Sequence, residues 1–124
     1  MATDVARATV IIMTLEKRKM VKKLDYLTSP GFLDGPGARE KAGLRGGGPS
    51  LVVTNLCQMD FDPRTKRVRL ATVHPGVTVE QVLENTGFDL IVPKDVPTTD
   101  LPTCEEIDLL RMIDRTGIYI PRTK

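Results

Sequence analysis

Apolar and polar positions alternate most clearly between Leu51 and Phe61. Leu51, Val53, Cys57, Met59 and Phe61 fall on one side, and Thr54, Gln58 and Asp60 on the other. Strand side chains point to opposite faces in turn, so this period of two predicts a strand with one face in a core. Asn55 interrupts its apolar side. Asp62-Pro63 predicts a tight turn, because proline presets φ and the Asp carboxylate accepts from amides beyond it. Val68 and Leu70 then alternate with Arg67 and Arg69, so a returning strand shares the buried face and completes a hairpin.

Beyond the hairpin the period lengthens. Thr78 and Gln81 have the spacing of a capping box, in which hydroxyl and side-chain amide satisfy unpaired groups at a helix start. Val79, Val82, Leu83 and Thr86 fall at i, i+3, i+4 and i+7 and predict one buried helical stripe. Gly87 is expected to end the helix in the left-handed conformation, with Phe88 folded back on the last turn. A second capping box, Thr103 with Glu106, opens a helix from about Cys104 to Asp114. Its apolar residues Ile107, Leu109, Leu110, Met112 and Ile113 exceed one stripe, which predicts packing on two sides. Arg115 near its end complements the helix dipole. Gly117 stops it, and Ile118 to Ile120 form an apolar tail expected to cover a sheet edge or a neighbouring subunit.

Four other segments fill in the plan. Residues 8–13, ATVIIM, are a continuous β-branched run and predict a strand covered on both faces inside a sheet. Residues 16–23 read as one helical turn or an exposed edge. Leu24 to Thr28 reads as a strand ended by Ser29-Pro30-Gly31, and Asp89 to Val92 as a last short strand, with Pro93, Pro97 and Pro102 holding the connection beyond it extended. The fold class expected is α/β, a mixed sheet with an antiparallel hairpin flanked by helices. Gly31 to Pro49 is a glycine-rich connector in which Ala38 to Ala42 manages a helical turn. It contains no Gly-Lys-Ser/Thr, and no G-x-G-x-x-G directly follows a predicted strand, which argues against a nucleotide-phosphate loop.

Composition narrows the reading. A chain of 124 residues is one domain at most, and 40% hydrophobic with 27% charged residues argues against disorder. With no Trp, the core is built mainly from Val, Ile, Leu and Met. Residues 1–50 hold nine Lys/Arg against five Asp/Glu and the remainder nine against eleven, so the basic excess is local, in residues 16–23. Interleaved aromatics are missing there, so no nucleic-acid partner is expected; the patch is solvated or faces a subunit. Cys57 and Cys104 form no C-x-x-C and His74 is the single histidine, so the expectation is two reduced thiols and no metal. No apolar run reaches the ~18 residues of a membrane span and no secretory signal opens the chain, so no membrane association and a cytoplasmic location are expected.

The segments LVVTNLCQMDFD, RLATVHPGVTVEQVLENTGFDL and TCEEIDLLRMID closely resemble the carboxyl-terminal half of the B-type subunit of family I CoA-transferases. EKRKMVKKLDYLTSPGFLDGPGAREKAGL resembles the same subunit and favours the glutaconate branch. The likeness runs from about Asp4 to Pro121, so residues 1–124 are expected to form a single partial domain, part of a Rossmann-like CoA-transferase domain.

The resemblance implies transfer of CoA between an acyl-CoA and a carboxylic acid by a nucleophilic glutamate, through an anhydride and a glutamyl thioester. Coenzyme A is then a substrate, and no separate cofactor is implied. In the family that glutamate and a glycine loop supplying oxyanion donors lie upstream of the matched region. Met1 would thus open a truncated or split polypeptide, inactive alone, whose partners are an A-type subunit and the missing amino-terminal half. Glu16, Glu40, Glu80, Glu84, Glu105 and Glu106 each have a solvent, dipole or capping explanation, so no catalytic residue is assigned. His74, before Pro75-Gly76, reads as a turn residue rather than a general base. Ser29, Asp34 and Arg39 are weak candidates for gripping a carboxylate substrate. Two alternatives stay open: a non-catalytic structural or partner-binding domain of the same fold, and a component of a CoA-thioester hydrolase.

Overall fold

A computed structural model describes residues 6–119. Four strands, β1 (Thr9–Ile12), β2 (Pro49–Val53), β3 (Cys57–Phe61) and β4 (Val68–Val73), form one sheet in the order β1-β2-β3-β4. β1 and β2 run parallel; β2, β3 and β4 are antiparallel neighbours. Three helices accompany them: α1 (Ala38–Lys41), α2 (Val79–Glu84) and α3 (Cys104–Ile113). The α/β mixed sheet is the expected class.

The β3–β4 hairpin follows its pattern. Met59 pairs with Leu70 and both are fully buried, as is Cys57, which pairs with Val73. Asp62 Oδ1 accepts from Arg64 N (3.1 Å), Thr65 N (2.7 Å) and Thr65 Oγ1 (2.9 Å), which holds the turn. The core comprises Leu15, Val52, Cys57, Met59, Leu70, Val73 and Val82. Burying each large apolar side chain there contributes about 1.5 to 3 kcal/mol. α2 supplies Val82 through its capping box, with Gln81 N donating to Thr78 Oγ1 (3.3 Å) and Thr78 N to Gln81 Oε1 (3.0 Å). Thr86 is buried with it, whereas Leu83 of the expected stripe is exposed.

Several local expectations are corrected. The alternating run at 51–61 is two strands, not one. Thr54 Oγ1 accepts from Leu56 N (3.1 Å) and Cys57 N (2.9 Å), so the chain reverses where Asn55 broke the pattern. The reversal shifts parity, and Val52 is buried in place of Leu51 and Val53. Asn55 Oδ1 accepts from Leu15 N (2.8 Å), tying this turn to the segment after β1.

Gly87 is not left-handed. A Cβ there would collide with the Met20 carbonyl oxygen, to which Gly87 N donates (2.7 Å), so the position requires glycine for close backbone approach. Leu24 to Thr28 forms no strand and is exposed. Asp89 to Val92 is reduced to a bridge at Ile91, and a second bridge follows at Thr98. Leu70 N donates to Ile91 O (2.8 Å) and Val73 N to Pro97 O (3.1 Å). The prolines between have no N–H to give, so this strap covers the outer edge of β4 without a continuous ladder.

Among the described residues no strand pairs with the opposite edge. β1 lies at the end of the sheet rather than inside it, with Val10 55% and Ile12 82% exposed. α3 is capped as expected, with Glu106 N donating to Thr103 Oγ1 (3.2 Å). It buries no residue on either side within this chain. Of the apolar tail, Ile118 and Tyr119 are exposed, and Ile120 lies outside the described residues.

Candidate functional site

Carbonyls of a glycine-rich loop that turn inward need donors, and one residue here supplies them. Arg39, on α1, is only 5% exposed. Its Nη1 donates to Gly31 O (2.6 Å), and its Nε and Nη2 both donate to Gly46 O (3.2 and 3.0 Å). The planar fork thereby clamps the two ends of the connector, a geometry that lysine does not reproduce. Gly48, left-handed at φ 79°, leaves room for that side chain: a Cβ there would lie 3.2 Å from the guanidinium Nε. Phe32 holds the connector to the hairpin, with its ring edge-on to Phe61 (centroids 5.1 Å apart) and beneath the Lys66 ammonium (5.4 Å).

Ser29, just before the connector, and Asp34, within it, are both exposed. Among the described residues no hydrogen bond joins either to Arg39, so the three candidates are not brought together. Arg39 itself faces backbone.

A second polar cluster centres on His74, half-buried at the end of β4. Its Nε2 lies 2.8 Å from Thr54 O, a pure acceptor, which assigns the proton to that nitrogen. Nδ1 lies 3.0 Å from Thr99 Oγ1, itself 2.6 Å from Thr72 Oγ1. In the neutral ring, Thr72 therefore donates to Thr99, Thr99 to Nδ1, and Nε2 to Thr54. With His74 N donating to Leu56 O (2.8 Å), the residue fastens the β2–β3 turn and the strap to the end of β4. Both ring nitrogens are occupied in structural bonds. The sequence signal that was missed is Thr99, which reaches the histidine from 25 positions away.

Acidic groups complete the inventory. Glu16 accepts from Lys19 Nζ and Arg18 Nε, each at 2.6 Å, and these cations hold its carboxyl pKa at about 2. Glu106 is held below the ordinary carboxylate range by the Thr103 amide and hydroxyl it caps. Glu40, Glu80, Glu84 and Glu105 are exposed. Among the described residues no glutamate is buried, and covalent catalysis by a carboxylate needs a dry, oriented one. Burial pushes the Cys57 thiol up, which keeps it a protonated, poor nucleophile.

A surface cleft of about 630 Å³ lies between α2 and the strap, lined by Val79, Glu80 and residues 92–97. Glu80, Lys94 and Asp95 are all exposed at its rim. Among the described residues no group of His, Cys, Asp and Glu could hold a metal ion, and no helix is long and apolar enough to cross a membrane.

What the structure does present is uncovered apolar surface. A ten-residue helix is marginal in water on its own, yet α3 buries nothing and exposes Leu109, Leu110, Met112 and Ile113. Together with the outer edge of β1, it leaves apolar surface exposed among the described residues.

Comparison with known proteins gives the setting. Residues 1–85 match the family model described as coenzyme A transferase. The chain is 51% identical over 104 residues to the B-type subunit of glutaconate CoA-transferase from Acidaminococcus fermentans, covering 83% of this chain and 39% of that protein. It is 37% identical over 109 residues to the B-type subunit of 3-oxoadipate CoA-transferase from Pseudomonas knackmussii, covering 88% of this chain and 42% of that protein. The crystal structure of glutaconate coenzyme A-transferase from A. fermentans superposes with a TM-score of 0.83 at 43% identity, covering 99% of this chain and 46% of that one. The chain thus spans about two fifths of the length of the curated relatives it matches.

Proposed function

The chain belongs to the coenzyme A transferase family, and from that premise we propose that it serves as the carboxyl-terminal half of a B-type subunit in a glutaconate-type CoA-transferase. The observation that carries this reading is the superposition on glutaconate coenzyme A-transferase over 99% of the chain. The lack of a buried glutamate among residues 6–119 agrees with it. The reactive carboxylate then comes from polypeptide outside these residues.

The reaction runs by covalent exchange. A glutamate carboxylate oxygen attacks the thioester carbonyl of an acyl-CoA, the C–S bond of the tetrahedral adduct breaks, and CoA thiolate leaves behind an acyl-glutamyl anhydride. The thiolate attacks the glutamyl carbonyl, the first acid departs, and a glutamyl-CoA thioester remains. The acceptor carboxylate then repeats the sequence in reverse and leaves with CoA. Coenzyme A is substrate throughout, so no further cofactor is required.

This chain's part is to carry the sheet, the Arg39-clamped connector and the His74 cluster that hold the other pieces in place. Its partners in this reading are an A-type subunit and the amino-terminal half of the B-type one, which meet the outer β1 edge and α3, in the cytoplasm. Reconstitution tests it. The chain is mixed with the unmatched amino-terminal portion of the A. fermentans B-type subunit, made as a separate polypeptide, and with its A-type partner. The expected result is CoA transfer from an acyl-CoA to glutaconate that requires all three components. No activity, where the native carboxyl-terminal portion restores it in the same mixture, overturns the reading.

A further inference from the structure

The chain between β1 and the glycine-rich connector carries a basic and aromatic surface that the functional site leaves unused. Residues 16–25 hold five cations, Lys17, Arg18, Lys19, Lys22 and Lys23, against Glu16 and Asp25. Glu16 takes Arg18 and Lys19, while Lys17, Lys22 and Lys23 are exposed and have no ion-pair partner among the described residues. The backbone here is fixed. Lys19 N and Met20 N donate to Glu16 O (2.8 and 3.0 Å), Met20 packs on the core, and Val21 forms a parallel bridge with Gly87. Two residues beyond Gly87, Asp89 O accepts from Nη2 of the exposed Arg67 (2.9 Å), which anchors a further cation close to that bridge. Tyr26 follows Lys23 by three positions and is 81% exposed.

We propose that this turn and Tyr26 bind the nucleotide end of coenzyme A, the lysines taking its phosphates and the tyrosine ring stacking on its adenine. The identity of the ligand rests on the CoA-transferase reading, and its place on the surface just described. A phosphomonoester carries about −1.5 to −2 charge at pH 7 and the diphosphate adds more, so unpaired ammonium groups on a fixed backbone meet a ligand of opposite sign. Lysine acts on phosphate as a point charge and needs no fork geometry. A base stacks on any exposed aromatic face. One ring beside the cations suits a single base, whereas a nucleic-acid strand needs a row of them. The pantetheine arm carries the thioester away from this patch, so the residues bind a remote part of the substrate while the reacting carboxylate stays on other polypeptide.

Isothermal titration calorimetry of the 124-residue chain with coenzyme A tests the proposal. The expected Kd is about 1 mM or tighter at about 20 mM salt, weakening at least about threefold at about 200 mM as the phosphates are screened. Coenzyme A lacking its 3′-phosphate binds at least about threefold more weakly, and pantetheine, which has neither phosphate nor adenine, gives no binding. Lys22→Glu/Lys23→Glu weakens coenzyme A at least about tenfold. Tyr26→Ala weakens it at least about fivefold, and Tyr26→Phe, which keeps the ring, restores wild-type affinity. These side chains are exposed, so far-UV circular dichroism stays unchanged. No binding at about 10 mM coenzyme A, equal affinity for coenzyme A and pantetheine, or unchanged affinity in either the lysine or the alanine variant would each overturn the proposal. The result is separable from reconstitution: CoA transfer without this binding keeps the CoA-transferase reading and removes the site, and binding without transfer does the reverse.

Discussion

Replacing Arg39 by lysine separates a loop clamp from a substrate grip. The guanidinium makes three N–H···O contacts to two carbonyls, Gly31 O and Gly46 O, from a position 5% exposed. Hydrogen bonds from a charged donor contribute about 1.5 to 3 kcal/mol net each, and a lysine ammonium reaches only one of the two carbonyls. Arg39→Lys is therefore expected to cost about 2 kcal/mol. Arg39→Ala, which leaves both carbonyls without their donor and opens space beside Gly48, is expected to cost about 4 kcal/mol. Against a total of about 5 to 15 kcal/mol for a domain, the alanine variant sits near the threshold of folding. Urea unfolding followed by far-UV circular dichroism measures the loss. With a slope of about 1 to 3 kcal/mol/M, the lysine variant's midpoint falls by about 0.7 to 2 M. An unchanged midpoint would refute the reasoning, because a surface guanidinium reserved for a ligand carries no folding energy.

Three further outcomes follow from named contacts. Gly87→Ala forces a Cβ against the Met20 carbonyl and breaks the Gly87–Met20 bond; we expect a loss of about 1 to 3 kcal/mol in the same urea assay, and a wild-type midpoint would contradict the close approach. A thiol reagent should label one cysteine in the native chain and two after denaturation, since Cys104 is exposed and Cys57 buried; mass spectrometry identifies the site, and fast native labelling of Cys57 would show that the core is open. The Glu16 carboxyl is lowered from 4.5 to about 2 by Lys19 and Arg18, so the folded state favours its ionised form. Its contribution to stability is present above the ordinary carboxylate range and is lost as pH falls from 4.5 through about 2. An NMR titration of the Glu16 carboxyl carbon should therefore have its midpoint near the lower value, and one near the upper value would mean that the pair does not persist in solution.

Those features written in short-range code were legible in the sequence. Both capping boxes form as Thr78–Gln81 and Thr103–Glu106 predict, and the Asp62 turn and buried Met59–Leu70 pair follow from turn chemistry and period. The features that failed depend on distant backbone. Gly87 is glycine because of Met20, and the run at 51–61 divides because the Thr54 hydroxyl closes a turn that periodicity cannot register. ATVIIM and α3 predict burial, yet Val10, Ile12, Leu109 and Ile113 are exposed, because an apolar run records hydrophobicity and not whether the fold covers it. Arg39 drew notice as a polar residue in a glycine-rich loop, but only coordinates show its fork turned onto the loop's own carbonyls.

The central claim is that this chain shapes a CoA-transferase without supplying the reacting atom. Its most direct test is the purified 124-residue chain alone, incubated with a radiolabelled acyl-CoA and a carboxylic acid acceptor, then treated with borohydride to trap any glutamyl thioester. The account predicts no exchange of label and no reduced glutamate in the digested peptides. Exchange that disappears when one of the chain's own glutamates is changed to glutamine, with borohydride modification mapped to that residue, would contradict it.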